Sequence, residues 1–141
     1  MNKRYRSGSH TKHRLLFHLV FRPKFRKRVL RFDLKKRLYE LFKQCCEVND
    51  WVLHELEIMP DHVHMLIQIN PDDSISNCMQ MIKGGSAKVI REEFPEIEEF
   101  IWGKSFWGDG YFAESVGKTT EKAIRMYINQ QNKQTERDHG L

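Results

Sequence analysis

Two strand-forming segments of this chain, 51–59 and 62–69, are separated by only two residues, a proline and an aspartate. Because both residue types favour tight turns, the segments are predicted to form an antiparallel hairpin. Side chains alternate between the two faces of a strand, so the second segment has an apolar face and a face that carries His62 and His64. The apolar face consists of Val63, Met65, Ile67 and Ile69. It is predicted to face the core, which leaves the two histidines on the opposite face of the sheet.

The rest of the chain supplies the other elements of a small α+β fold. An almost continuous apolar run at 14–21 predicts a central strand. Apolar residues recur at helical spacing over 33–48, which begins with an aspartate as the expected N-cap. A second helical pattern over 74–94 begins with a serine cap and is expected to bend at two glycines in its middle. A last strand is predicted at 111–116.

The resulting order, β-α-β-β-α-β, is typical of the ferredoxin-like fold, in which two helices cover one face of an antiparallel sheet. A further helix, capped by Thr119 or Thr120 and carrying Tyr127, follows the last strand and is available for the open face. The 141 residues are enough to bury a core. We expect one domain, with a mobile basic arm at 1–11 and a polar tail at 136–141.

Composition excludes a membrane-spanning protein, because no stretch approaches the ~20 continuous apolar residues that a spanning helix needs. The basic N-terminus is not followed by the apolar segment of a secretory signal. We therefore expect a cytoplasmic protein without a membrane partner. Cys45, Cys46 and Cys78 lack a metal-binding spacing, and we expect them to pack as small apolar residues in a reducing compartment.

Basic residues are concentrated near the N-terminus: residues 1–37 hold 14 of the 24 lysines and arginines but only one of the 19 acidic residues. This asymmetry indicates a basic face that binds nucleic acid, on which Phe17, Phe21 and Phe25 could stack bases or beneath which they could pack. The alternative is a solvated basic surface without a partner. The residues expected to contact nucleic acid are Lys24, Arg26, Lys27, Arg28 and Arg31.

His62 and His64 provide half of a metal site, since their ring nitrogens can converge on one cation. Tyr127 and Gln131 are four residues apart on the final helix and share a face, so a helix laid across the sheet could bring both to the histidines. Structural histidines and a tyrosine buried in the core are alternatives that these patterns leave open. Asp61 could orient a histidine ligand or belong only to the turn.

Met-Pro-Asp-His-Val-His at 59–64, followed by Tyr-Ile-Asn-Gln-Gln at 127–131, resembles the HUH single-tyrosine transposases of small bacterial insertion sequences. The segments 18–21, 82–87 and 112–117 are also similar to that family, so the resemblance spans nearly the whole chain. The related REP-associated tyrosine transposases share the histidine pair and the tyrosine.

The resemblance implies a homodimer that binds single-stranded DNA hairpins at element ends, cuts one strand through a 5′-phosphotyrosine intermediate and rejoins strands. Tyr127 matches the nucleophile, and His62 and His64 match the metal-binding histidines. Gln131 matches the third protein ligand, although Gln130 leaves this register open by one residue. We prefer Gln131 because a residue four positions on shares the face of the tyrosine. Such ligands suit Mg²⁺ or Mn²⁺, and the imidazoles favour Mn²⁺.

Gly117 lies between the last strand and the final helix, where it would let the helix swing away from its own sheet. We therefore expect Tyr127 and Gln131 of one subunit to complete the histidine site of the other. Two other functions compete: a ferredoxin-like nucleic-acid-binding protein without catalysis, and a metal-dependent phosphoesterase that uses water. Covalent capture of DNA separates the tyrosine enzyme from both.

Overall fold

The structure, a computed structural model, describes most of the chain between residues 6 and 130. The described residues are 6–8, 11–13, 15–117 and 121–130, the first two ranges as backbone only. Arg6–Gly8 (β1) pairs antiparallel with Thr11–His13 (β2) in a short separate hairpin. This hairpin overlaps the predicted mobile arm, whose mobility stays a prediction. The predicted polar tail lies outside the described residues.

Four longer strands form the main sheet. They are Leu15–Phe21 (β3), Val52–Met59 (β4), His62–Ile69 (β5) and Phe112–Ser115 (β6). Their order across the sheet is β4-β5-β3-β6, and all neighbours are antiparallel. A two-residue turn joins β4 to β5, as predicted. This strand order is that of the ferredoxin-like fold, so the predicted fold class is confirmed.

Two long helices and two shorter ones accompany the sheet in the described part of the chain. They are Phe32–Val48 (α1), Ile75–Glu93 (α2), Glu98–Ile101 (α3) and residues 121–130 (α4). The main core lies between one face of the sheet and helices α1 and α2, where Leu38, Phe42, Met79 and Ile82 are buried. All four apolar residues predicted on the core face of β5 belong to this cluster.

The N-terminus of α1 differs from the prediction that Asp33 caps it. Arg31 occupies the N-cap position with an extended backbone and without a side-chain capping bond, and the helix begins at Phe32. Asp33 instead lies in the first turn. Its carboxylate is favourable there because the exposed N–H groups give a helix N-terminus a partial positive charge.

Helix α2 begins as predicted, because the Oγ atom of Ser74 accepts a hydrogen bond of 3.1 Å from the N–H of Asn77. The glycines at 84–85 do not break the helix, which continues through both to Glu93; whether they bend it stays a prediction. Each glycine costs about 1 kcal/mol in a helix interior. Burial of an isoleucine contributes about 1.5–3 kcal/mol, and Ile82 and Ile90 are both buried on either side of the glycines.

The cysteines pack as predicted. Cys46 and Cys78 are buried, Cys45 is half-buried, and all three are free thiols. Burial raises the pKa of Cys46 and of Cys78 to about 12, so both thiols stay protonated and unreactive at neutral pH. Among the described residues, no helix combines the length and the apolar character needed to cross a membrane.

Candidate active site

Helix α4 covers the face of the sheet that α1 and α2 leave open. Its apolar residues Ile124 and Ile128 pack in a second buried cluster with Leu16, Leu66 and Val116. This cluster lies on the same face of β5 as the two histidines, because Leu66 alternates with Val63, Met65 and Ile67. In this structure α4 therefore lies on the open face of its own sheet.

Arg125 connects α4 to β4, an edge strand of the main sheet. Its Nη1 atom donates to Oε1 of Glu55 at 3.0 Å, and its Nη2 atom donates to Nδ1 of His54 at 2.8 Å. The same guanidinium also donates to Glu121 within α4, at 2.9 Å. Apolar packing and the contacts of Arg125 together hold α4 against the sheet.

Tyr127 is brought against the histidine pair by this docking. The rings of His62 and His64 are 4.8 Å apart between centroids, and the ring of Tyr127 is 5.5 Å from that of His64. Tyr127 is 48% exposed, so the alternative of a core tyrosine is wrong. Gln131 lies outside the described residues, and its role as a ligand stays a prediction.

Asp61 orients His62. Nδ1 of His62 lies 2.8 Å from Oδ1 of Asp61 and donates its proton to that carboxylate. Burial raises the pKa of Asp61, but the hydrogen bond from His62 and the positive charges nearby, including Arg28 and Arg22, outweigh it and lower the pKa below its usual value. With the proton on Nδ1, the Nε2 atom of His62 keeps its lone pair for a cation. The turn aspartate therefore supports a histidine ligand.

His64 is oriented in a similar way by His18, which was not predicted from the sequence. Nε2 of His18 lies 3.3 Å from Nδ1 of His64, and the two rings are stacked. Burial, together with the charges of His62, His18 and Arg22, lowers the pKa of His64 to about 4. The imidazole is neutral at neutral pH, as a metal ligand must be.

Glu114 continues this chain of polar contacts. Its Oε1 atom is 3.6 Å from Nδ1 of His18, within ion-pair range, and β6 places Glu114 directly opposite His18 on β3. Burial lowers the pKa of His18, while contact with Glu114 acts against that effect. A proton on Nδ1 of His18 can face Glu114, so that His64 donates from Nδ1 and keeps its lone pair on Nε2. In the sequence, a sign of this role was the position of His18 within an otherwise apolar strand.

The donors that the described residues bring together are not those of a structural zinc site. Among the described residues, no group of three or more His, Cys, Asp or Glu could hold a metal, whereas structural zinc takes four such ligands. The structure brings together two imidazoles and the phenol of Tyr127. Such a set leaves positions for water or phosphate oxygens, which is the kind of shell that Mn²⁺ and Mg²⁺ accept.

The predicted nucleic-acid-binding residues lie on a basic segment beside this site. Arg26, Arg28 and Arg31 are exposed, while Lys24 and Lys27 are half-buried. The N–H of Leu30 donates to the carbonyl oxygen of Pro60 at 3.0 Å, which ties the segment to the turn before His62. Arg22, not predicted as a contact, influences the pKa of both Asp61 and His64. Positive charge therefore borders the histidines.

The described chain places α4 over its own sheet, with Tyr127 against its own His64. The expected sharing of sites between subunits stays a prediction. Exchange of α4 in a symmetric dimer would preserve the packing described above, because each sheet would receive an identical helix.

The known proteins that this chain resembles are transposases. A family model described as "Transposase IS200 like" matches residues 11–131. The transposase for insertion sequence element IS200 of Salmonella typhimurium is 32% identical over 126 residues, which cover 89% of this chain and 82% of that protein. The ISDra2 transposase TnpA of Deinococcus radiodurans is 29% identical over 120 residues, covering 85% of this chain and 86% of the relative.

Two solved structures are similar. A crystal structure of a candidate transposase from Deinococcus radiodurans R1 matches with a TM-score of 0.73 and 29% identity, over 89% of this chain and 97% of the other. A REP-associated tyrosine transposase, solved bound to a REP hairpin, matches with a TM-score of 0.57 over 86% of this chain and 68% of the other. At 12% identity, the second match supports only the fold.

Proposed function

Because the chain belongs to the IS200-like transposase family, we propose that it cuts and rejoins single-stranded DNA, with Tyr127 as the nucleophile and a divalent metal at His62 and His64. The observation that carries this proposal is the position of Tyr127, whose exposed ring is 5.5 Å from that of His64. A nucleophile beside two imidazoles whose Nε2 atoms can bind a cation is an arrangement that suits metal-assisted phosphoryl transfer.

In the proposed reaction the phenolate oxygen of Tyr127 attacks the phosphorus of a phosphodiester. The bond from phosphorus to the 3′ oxygen breaks, that oxygen gains a proton, and the 5′ side stays attached to the tyrosine. Attack by a 3′ hydroxyl on this phosphotyrosine reverses the exchange and joins strands without an external energy source. A phenol ionises at about pH 10, and a divalent metal, when bound, supplies positive charge that favours the phenolate and the phosphate oxygens.

The protein contributes to catalysis mainly by holding the histidine rings and Tyr127 in position before the substrate binds. Asp61 and His18 hold the rings of the histidine pair, and the packing of α4 holds Tyr127. Prior orientation of reacting groups lowers the barrier, since that order is not created during the reaction. The positive charge of Arg22, next to this site, would attract the phosphate.

We extend the proposal to a DNA hairpin at the end of an insertion element as substrate and to a homodimer as the working unit. The first extension is suggested by the REP-associated tyrosine transposase, a protein of the same fold that was solved bound to a REP hairpin. Mg²⁺ or Mn²⁺ is the proposed cofactor, and Gln131 is the proposed third protein ligand.

The proposal is tested by incubating the protein with end-labelled single-stranded DNA from its flanking genomic region and Mn²⁺. We expect strand cleavage that needs the metal and is abolished by Tyr127→Phe. Binding without cleavage would support a non-catalytic nucleic-acid-binding protein. Cleavage that survives in Tyr127→Phe would support a phosphoesterase that uses water.

A further inference from the structure

Two large aromatic side chains contact each other outside the core. Phe25 is 51% exposed and Trp102 is 71% exposed, and their ring centroids are 5.6 Å apart. A single exposed apolar residue is ordinary, but a contiguous exposed aromatic surface often marks a binding site. The other two tryptophans, Trp51 and Trp107, are buried. The Phe25–Trp102 pair is thus not explained by the packing of the fold.

The backbone of both residues is strained. Phe25 has a φ of 60° and Trp102 a φ of 50°, in the left-handed region that bulky side chains rarely adopt. Such conformations are unfavourable for a residue with a Cβ and concentrate at functional sites. A glycine at either position would relieve the strain. Strain and exposure together indicate that these rings are presented to a ligand.

Cations lie beside these rings. Nζ of Lys27 is 5.9 Å from the ring centroid of Trp102, and Arg26 next to Phe25 is exposed. Farther along the same segment, the guanidinium of Arg31 is 5.0 Å from the ring of Phe32, which is 78% exposed. The ligand that matches this surface combines flat apolar rings with negative charge.

Acidic residues near Trp102 do not reverse this charge pattern at the ring pair. The carboxylate of Glu98 forms an ion pair with the guanidinium of Arg91 at 2.8 Å. The negative charge of Glu98 is therefore compensated. Glu96 and Asp33 line a separate groove of about 390 Å³ between α1 and the segment before α3. Glu99 is also exposed on α3 before Trp102. At the ring pair itself, the charged contact among the described residues is that of Lys27 with the ring of Trp102.

We propose that Phe25 and Trp102 form a stacking site for the unpaired bases of single-stranded DNA, with Lys27 and Arg26 holding the adjoining phosphates. Every base has a π face and a neighbouring phosphate, so an aromatic surface with flanking cations binds single strands with little sequence preference. In a duplex the base faces are already stacked and cannot reach the rings. The proposal rests on the proposed function for its ligand, DNA, but needs neither the metal nor Tyr127.

The site lies on the segment that the bond between Leu30 and Pro60 ties to the histidine turn. The alternative occupant of an exposed aromatic pair is a second copy of this chain, which the same experiment detects.

Acrylamide quenching of tryptophan fluorescence tests the proposal, because Trp102 is the exposed tryptophan while Trp51 and Trp107 are buried. The full chain carrying Tyr127→Phe is titrated, without metal, with a thymidine decamer and with an abasic decamer of equal phosphate number. We expect the thymidine decamer to shield Trp102 from acrylamide, and the abasic decamer to bind without shielding. Equal shielding by both oligomers overturns the proposal.

The affinities of Trp102 variants for the two decamers provide a second test of the proposal. Trp102→Ala should weaken binding of the thymidine decamer about ten-fold and leave the abasic decamer unchanged, while Trp102→Phe should retain most of the affinity. Val48→Ala is the matched control, since Val48 is exposed at the far end of α1. Equal losses for both oligomers, or shielding of Trp102 that follows protein concentration without DNA, contradict the stacking site. Failure to bind either oligomer contradicts the proposed function as well.

Discussion

Nε2 of His18 lies 3.3 Å from Nδ1 of His64, and the planes of the two rings differ by only 6°. His18 is itself buried between β5 and β6, with Glu114 on its far side. A histidine ligand held in this way keeps one tautomer and one ring orientation, which raises its affinity for a metal. His18 therefore acts as a positioning residue for the candidate ligand His64.

We predict that His18→Ala lowers the affinity for Mn²⁺ about 10- to 100-fold, as loss of such partners does in other metal sites. Titration of the free protein with Mn²⁺, followed by electron paramagnetic resonance, measures this without DNA. His18→Gln should recover part of the affinity because its amide can still accept from Nδ1 of His64. Unchanged Mn²⁺ affinity in a folded His18→Ala protein would show that the contact is only structural.

The candidate ligands should contribute unequally to metal binding and to DNA cleavage. His62→Ala or His64→Ala should abolish Mn²⁺ binding and DNA cleavage together, because each removes one of two imidazole ligands. Gln131→Ala should reduce both less, since a neutral amide is the weaker ligand. If Gln130→Ala is the damaging change, the helical register that we inferred for the third ligand is wrong.

Much of the site follows from local patterns in the sequence. The alternation of side chains along β5 predicted His62 and His64 on the face away from the core, and helical spacing predicted the helix that carries Tyr127. Both inferences need only the geometry of one strand or one helix. For that reason they were available without any knowledge of tertiary contacts.

The remaining features depend on tertiary structure. The contact of His18 with His64 requires the register between β3 and β5, which pairs Val20 with His64 and cannot be read from either strand alone. The continuity of α2 through its glycines is helped by burial of the flanking residues Ile82 and Ile90. Phe25 is exposed and has a left-handed backbone conformation, whereas Phe21 is buried, and the sequence does not distinguish the two phenylalanines.

The basic segment should account for the salt dependence of DNA binding. Removing one phosphate contact, as in Arg26→Gln, Arg28→Gln or Arg31→Gln, should reduce the slope of log affinity against log salt concentration by about 0.7 to 0.9. Fluorescence anisotropy with a labelled hairpin at several salt concentrations measures this slope. Lys133→Gln and Arg137→Gln are the controls. An affinity that does not change with salt, or equal effects in the controls, would refute the assignment.

Sharing of active sites can be tested by mixing inactive proteins. In a heterodimer of His64→Ala and Tyr127→Phe subunits, shared sites unite the intact histidines of one subunit with the intact tyrosine of the other, and we predict that cleavage returns. Subunit exchange is first verified with differently tagged proteins. If the exchanged mixture stays inactive, the cleaving state has α4 over its own sheet, as in the single chain described above.

The central claim is that Tyr127 forms a covalent bond with DNA. Cleavage after Arg125 and Lys133 by trypsin releases a peptide of residues 126–133 in which Tyr127 is the one tyrosine, well separated from Tyr5, Tyr39 and Tyr111. After reaction with single-stranded DNA and Mn²⁺, denaturation, and digestion with nuclease and trypsin, mass spectrometry should find this peptide with a nucleotide phosphate attached. The modified peptide should be absent without Mn²⁺. Cleaved DNA without any modified peptide, or a nucleotide attached to another tyrosine, would contradict the account.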